Sequence, residues 1–174
     1  AGAGFFVDEA RRAGWKASGL EIGEAWVRYA AERLGVGIVK PGGLADLAAI
    51  ADGSIDVASA WDVLEHLEDP VMFVRLIGRK LKPNGILALS TPRLDSLMPR
   101  LFGDRWHAVL PLHFTYFTRD SLRRLIAEAG LCVVWERSLT RFFSIAYLLS
   151  RLGVKGLPRV LRRVMGPVNL FDEL

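Results

Sequence analysis

The chain has 174 residues, 51% of them hydrophobic and 24% charged, with a formal net charge of +4. This length and composition give one globular domain with a substantial core and exclude a disordered chain. The small basic surplus sits late, around "RVLRR", so no nucleic-acid partner is expected; the single cysteine excludes an internal disulfide and points to a reducing, cytoplasmic setting.

In chain order, "FFVDEARRAG" predicts a helix ended by Gly14, and "KASGLEI" a short strand. "EAWVRYAAERLG" carries apolar residues at helical spacing, "VGIV" predicts a second strand, and "KPGGLADLAAIADGS" reads as irregular. "IDVASAW", Ile55 to Trp61, predicts a strand buried on both faces. Asp69 as N-cap and Pro70 at the first helical position open the next helix. Lys80 and Lys82 suit the negative end of its dipole, and Pro83-Asn84-Gly85 stops it. "ILALS" predicts another buried strand, and Thr91 to Phe117 a long irregular segment rich in aromatics. "TRDSLRRLIAEAG" predicts a helix capped by Thr118, with Leu122, Leu125, Ile126 and Ala129 on one face. "LCVVWERS" predicts a strand that buries Cys132 as a structural thiol. The longest apolar run, "FFSIAYLL", is too short to span a bilayer.

Strands alternating with crossover helices imply an α/β fold with a mostly parallel sheet, in which ligands bind beyond the carboxyl ends of the strands. The first such loop, "AGAGFF", places Gly2 and Gly4 where backbone can approach a ligand and leave helix N–H groups open. Val7 stands where a dinucleotide fingerprint wants its third glycine, which counts against a nicotinamide-dependent oxidoreductase. Glu21 ends the next strand, where an acid can accept hydrogen bonds from both ribose hydroxyls of an adenosine.

Five segments then occur in order: "GAGFF", "GLE", "DGSIDVASAWDVLEHLEDP", "LKPNGILALSTP" and "HFTYFTRDSLRRLIAEAG". Together they resemble the class I S-adenosylmethionine-dependent methyltransferases, over nearly the whole chain up to about Ser138. The resemblance implies a Rossmann-like, doubly wound, mostly parallel seven-stranded sheet whose last strand is antiparallel, with the first and last strands partly missing from this chain. It implies S-adenosyl-L-methionine as cofactor. Gly2 and Gly4 would approach its methionine part, Glu21 would hold the ribose, and Ile22 would pack on the adenine. Gly43-Leu44 would pass the adenine edge, and Trp61 and Asp62 would lie near the reactive methyl. Many relatives carry an aspartate near Gly43, so the glycine implies adenine recognition by backbone.

Asp62, Glu65 and His66 follow the strand Ile55 to Trp61, and His113 lies on a later loop able to fold over the same cleft. His66 and His113 are expected to act as general base or to position the acceptor. The alternative is a divalent cation held by Asp62, Glu65, His66 and His113, as related clusters do in RNA 3′-end and quinone-pathway methyltransferases. The aromatic segment "RWHAVLPLHFTYF" reads equally as a substrate lid or as a satellite core.

Residues 1–138 are therefore expected to form the cofactor-binding core, and residues 139–174 a helical, basic extension of the same domain, acting as a cap or interface. An amphipathic helix around "RVLRR" is expected to pack on the domain; as an interfacial helix it would give peripheral membrane contact and favour a cell-envelope acceptor. A homodimer is a further expectation. The function expected is transfer of a methyl group to a small-molecule or cell-envelope acceptor by in-line displacement. The rivals are a non-catalytic binding or scaffold module of the same fold and the oxidoreductase.

Overall fold

A computed structural model describes residues 1–138, 141–144 and 167–170. The order of elements is α1 (Phe5–Arg12), β1 (Gly19–Glu21), α2 (Glu24–Leu34), β2 (Val39–Pro41), α3 (Leu44–Ala49) and β3 (Ile55–Trp61). A 3-10 turn (Leu64–His66), α4 (Pro70–Lys80) and β4 (Leu81–Ser90) follow. Next come α5 (Leu97–Phe102), a second 3-10 turn (Gly103–Arg105), α6 (Arg119–Glu128), β5 (Arg141–Ser144) and β6 (Pro167–Leu170). The fold is α/β and Rossmann-like. Among the described residues the strands form three pairs, β1–β2, β3–β4 and β5–β6. The first is parallel, with Glu21 opposite Pro41, and the last antiparallel.

The chain divides into two compact units, Ala1–Ala58 with Leu76–Leu87, and Ser59–Arg75 with Ala88–Leu174. In the first unit, α1 and α2 close on β2 through Val7, Ala30 and Val39, with Ala17, Leu34 and Ile38 packed around them. Val7, at the position a dinucleotide fingerprint reserves for glycine, is thus a core residue. Gly4 caps α1 with φ 76°, and a Cβ there would come within 2.8 Å of Leu34 Cδ1. Glycine serves both the left-handed turn and the close approach to α2. In the second unit, Trp106 is buried with Met98 and Ala108, flanked by Phe102 and Tyr116. The aromatic segment therefore builds a satellite core under its own loop, the more structural of its two expected roles.

The predicted caps hold. The Asp69 carboxylate accepts from Met72 N–H at 2.8 Å. Thr118 Oγ1 accepts from Ser121 N–H at 3.1 Å, and Ser121 Oγ accepts from Thr118 N–H at 2.9 Å. Leu125 is buried and Leu122, Ile126 and Ala129 are half-buried, as the helical pattern predicts.

Several expectations are corrected. Only Ala60 of β3 is buried, and Val57 and Trp61 are exposed. Residues Ile86 to Leu89 of β4 are likewise open or half-open. β4 begins at Leu81, and the expected turn is absorbed as a bend at Asn84, φ 64°. Leu44–Ala49 and Leu97–Phe102 are short helices where irregular chain was expected. The segment 131–138 forms no strand, and Cys132 is exposed, because no described strand lies alongside to pair with it. Lys80 stands in the last turn of α4, as expected, but is not solvated. It is buried, donating to Ala48 O at 2.9 Å and to Asp52 Oδ1 at 2.6 Å. Lys82 pairs with Asp56 at 2.7 Å. In the expected helical extension the described residues form β5 and β6, and the amphipathic helix around "RVLRR" lies outside the described residues.

Candidate functional site

In the first unit, β1 delivers Glu21 to its carboxyl end beside the glycine loop. Glu21 Oε2 accepts from Gly2 N–H at 2.6 Å and from the nitrogen of Ala1 at 3.0 Å, and Oε1 accepts from Gly23 N–H at 2.8 Å. Burial pushes the carboxyl up, but the Gly23, Ala1 and Gly2 hydrogen bonds outweigh it and hold Glu21 below the usual carboxylate range. Each carboxylate oxygen accepts about two hydrogen bonds, so Oε1 keeps room for a hydroxyl donor. Gly2 has φ 53°, and a Cβ there would meet nothing within 4 Å. Ile22 follows directly, its apolar side chain 82% exposed. Its Cγ2 lies 3.6 Å from a Cβ built on Gly43, just ahead of Leu44. A fixed anion, an open glycine turn and a bare aliphatic surface suit a hydroxylated sugar bearing a flat base, as an adenosyl group does.

Gly43 N–H donates to Asp46 Oδ2 at 2.9 Å. An acid thus stands three residues after Gly43, in the first turn of α3, where it satisfies an open helix N–H. Sequence reading missed it, although the "GLAD" spacing carried the signal.

In the second unit, Asp62 follows β3 with φ 51°, the left-handed region, at a cost of about 1 kcal/mol for a residue with a Cβ. Its N–H donates to Ser90 O at 3.0 Å and Ser90 Oγ at 3.2 Å, and its Oδ1 accepts from Ser90 Oγ at 3.0 Å. Glu65, on the following 3-10 turn, is buried and accepts from Thr91 Oγ1 at 3.0 Å. Its own carbonyl accepts from Phe114 N–H at 2.8 Å, which ties down the loop carrying His113. Ser90 was read as the end of a strand and Thr91 as the start of the loop that follows; both are buried and both hold an acid.

The ligand atoms of Glu65, His66 and His113 all lie within 4.8 Å of one another. Asp62, expected in that cluster, is not part of it. The two imidazoles meet edge to face, with ring centres 4.6 Å apart. His66 Nδ1 lies 3.0 Å from Leu112 O, a carbonyl that can only accept, so Nδ1 carries a proton. His113 Nδ1 is buried without a hydrogen-bond partner. Burial and the neighbouring His66 lower the His113 pKa against the Ala108 carbonyl that raises it, so the ring is held neutral. Burial first, and then the Asp62 charge, raise the Glu65 carboxyl against its hydrogen bonds and His66. The first unit thus gathers Gly2, Gly4, Glu21, Ile22 and Leu44, and the second gathers Trp61, Asp62, Glu65, His66 and His113.

A family model described as a methyltransferase domain matches residues 1–136. A probable S-adenosylmethionine-dependent methyltransferase of Mycolicibacterium smegmatis is 33% identical over 99% of this chain, which spans 64% of that relative's length. A ubiquinone biosynthesis O-methyltransferase of Xanthomonas oryzae pv. oryzae is 48% identical over 26% of the chain and 19% of its own length. Among solved structures, a SAM-dependent methyltransferase from Archaeoglobus fulgidus superposes with a TM-score of 0.64 at 15% identity, over 94% of this chain and 72% of that one. Fold, glycine loop, strand-end acid and family match converge: the chain belongs to the class I S-adenosylmethionine-dependent methyltransferases.

Proposed function

We propose that the protein transfers the methyl group of S-adenosylmethionine to a small-molecule acceptor by in-line displacement. The observation that carries this reading is Glu21, a carboxylate fixed by the Gly2 and Gly23 amides beside the bare side chain of Ile22. The bound cofactor supplies a sulfonium methyl, whose leaving group is already good. The protein therefore has mainly to bind, align and, for a hydroxyl acceptor, take a proton. Glu21 receives a ribose hydroxyl at Oε1, Gly2 and Gly4 let backbone approach the methionine part, and Ile22 and Leu44 flank the base. The family resemblance assigns Trp61 and Asp62 to the reactive end. His113, held neutral, and His66 orient the acceptor and accept its proton.

The test is calorimetric titration of S-adenosylhomocysteine into the wild type and Glu21→Ala. Micromolar binding that collapses in the variant is expected. A folded wild type that does not bind would leave the scaffold reading. His66→Ala and His113→Ala should keep that binding and lose methyl transfer once an acceptor is found.

A second reading is favoured by the convergence of Glu65, His66 and His113: a divalent cation there would orient an acceptor oxygen. Manganese titration followed by calorimetry should then show one site in the wild type and none in His113→Ala. An unresponsive wild type removes this reading and leaves the histidines in their proton-handling role.

A further inference from the structure

We infer that Ser90 is a positioning residue for methyl transfer, whose hydroxyl fixes both the backbone and the carboxylate of Asp62. The inference rests on the proposed function and adds to it a residue outside the cofactor and histidine sets. Asp62 occupies a left-handed conformation, which Asp adopts more readily than most residues with a Cβ but still at a cost. Pairing of β3 with β4 accounts for one of its restraints, the Asp62 N–H to Ser90 O bond of 3.0 Å. It does not account for the hydroxyl. Ser90 Oγ accepts from the same N–H at 3.2 Å and donates its proton to Asp62 Oδ1 at 3.0 Å. One side chain thus grips both ends of Asp62, from a buried position at the end of β4 where water does not compete. The carboxylate bond is a restraint beyond those of the strand ladder. Functional groups at the carboxyl ends of α/β strands need one, because a misaimed carboxylate loses its electrostatic effect on a cationic ligand.

The experiment is calorimetric titration of S-adenosylmethionine, which carries the sulfonium charge, into wild type, Ser90→Ala, Ser90→Thr, Asp62→Gly and the Ser90→Ala/Asp62→Gly double variant, with melting temperatures alongside. Ser90→Ala is expected to weaken binding about tenfold, the scale of one lost hydrogen bond to a charged group. Ser90→Thr, which keeps the hydroxyl, should restore it. In the Asp62→Gly background the serine substitution should have little further effect, a coupling that general destabilisation does not produce. Should Ser90→Ala not fold, Ser90→Cys, a weaker donor of similar size, is read in the same way. Wild-type affinity in the serine variant, or an equal loss with and without Asp62, overturns the inference. A loss of binding in Glu21→Ala with an unmoved Ser90→Ala overturns it alone. A wild type that fails to bind overturns it together with the function on which it rests.

Discussion

At Asp62 the chain accepts a backbone conformation that works against stability. Replacement by glycine removes the Cβ conflict, whereas alanine keeps it, and both lose the carboxylate. Asp62→Gly should therefore be the more stable of the two by about 1 kcal/mol, measured by urea denaturation. Glu21 makes the opposite contribution. Its folded-state pKa lies below the ordinary carboxylate value, so its stabilisation is complete at neutral pH and is lost as pH falls below about 4.5 toward the folded value. Unfolding free energies followed from pH 7 to pH 3 should decline more steeply for wild type than for Glu21→Gln. Both residues were legible in the sequence, since an acid at a strand end signals its own place. What holds Asp62 was not. Ser90 acts from the neighbouring strand, and nothing local in "LSTP" says that its hydroxyl faces an acid.

The helices whose ends were read correctly have chemically explicit termini. Asp69 with Pro70 and Thr118 with Ser121 satisfy open N–H groups with side-chain oxygens, and that requirement is written in adjacent residues. Thr118→Ala should cost about 1 kcal/mol in chemical denaturation without altering S-adenosylhomocysteine affinity. α3 and α5 escaped prediction because six residues hold too few turns to show a helical period. The segment 131–138 failed in the other direction. Its β-branched and aromatic residues favour a strand, yet a strand exists only with a partner to share its hydrogen bonds. Propensity therefore overstated it, and with it the burial of Cys132.

For the whole molecule, the alternation of helix and strand announced the α/β class, and five ordered segments announced the family. The acceptor is written nowhere so plainly, because methyl transfer asks for alignment and leaves few obligatory side chains. Ligand binding to the folded state alone should appear as stability. At a hundredfold excess over Kd, S-adenosylhomocysteine should add about 2.7 kcal/mol and raise the melting temperature, whereas Glu21→Ala should show almost no shift at the same concentration.

The turn between α3 and β3 has an ordinary look, an exposed Asp-Gly of the kind where chains tolerate foreign inserts and new termini. Here Gly53 and Ser54 donate to Arg79 O and Lys80 O at 2.9 Å each, while Asp52 takes the charges of Arg79 and the buried Lys80. The end of α4 is thus latched onto the turn. Opening the chain at Gly53 would unfasten a helix distant in sequence and strand its buried lysine, so this inviting loop is a poor place to splice a tag or permute the protein.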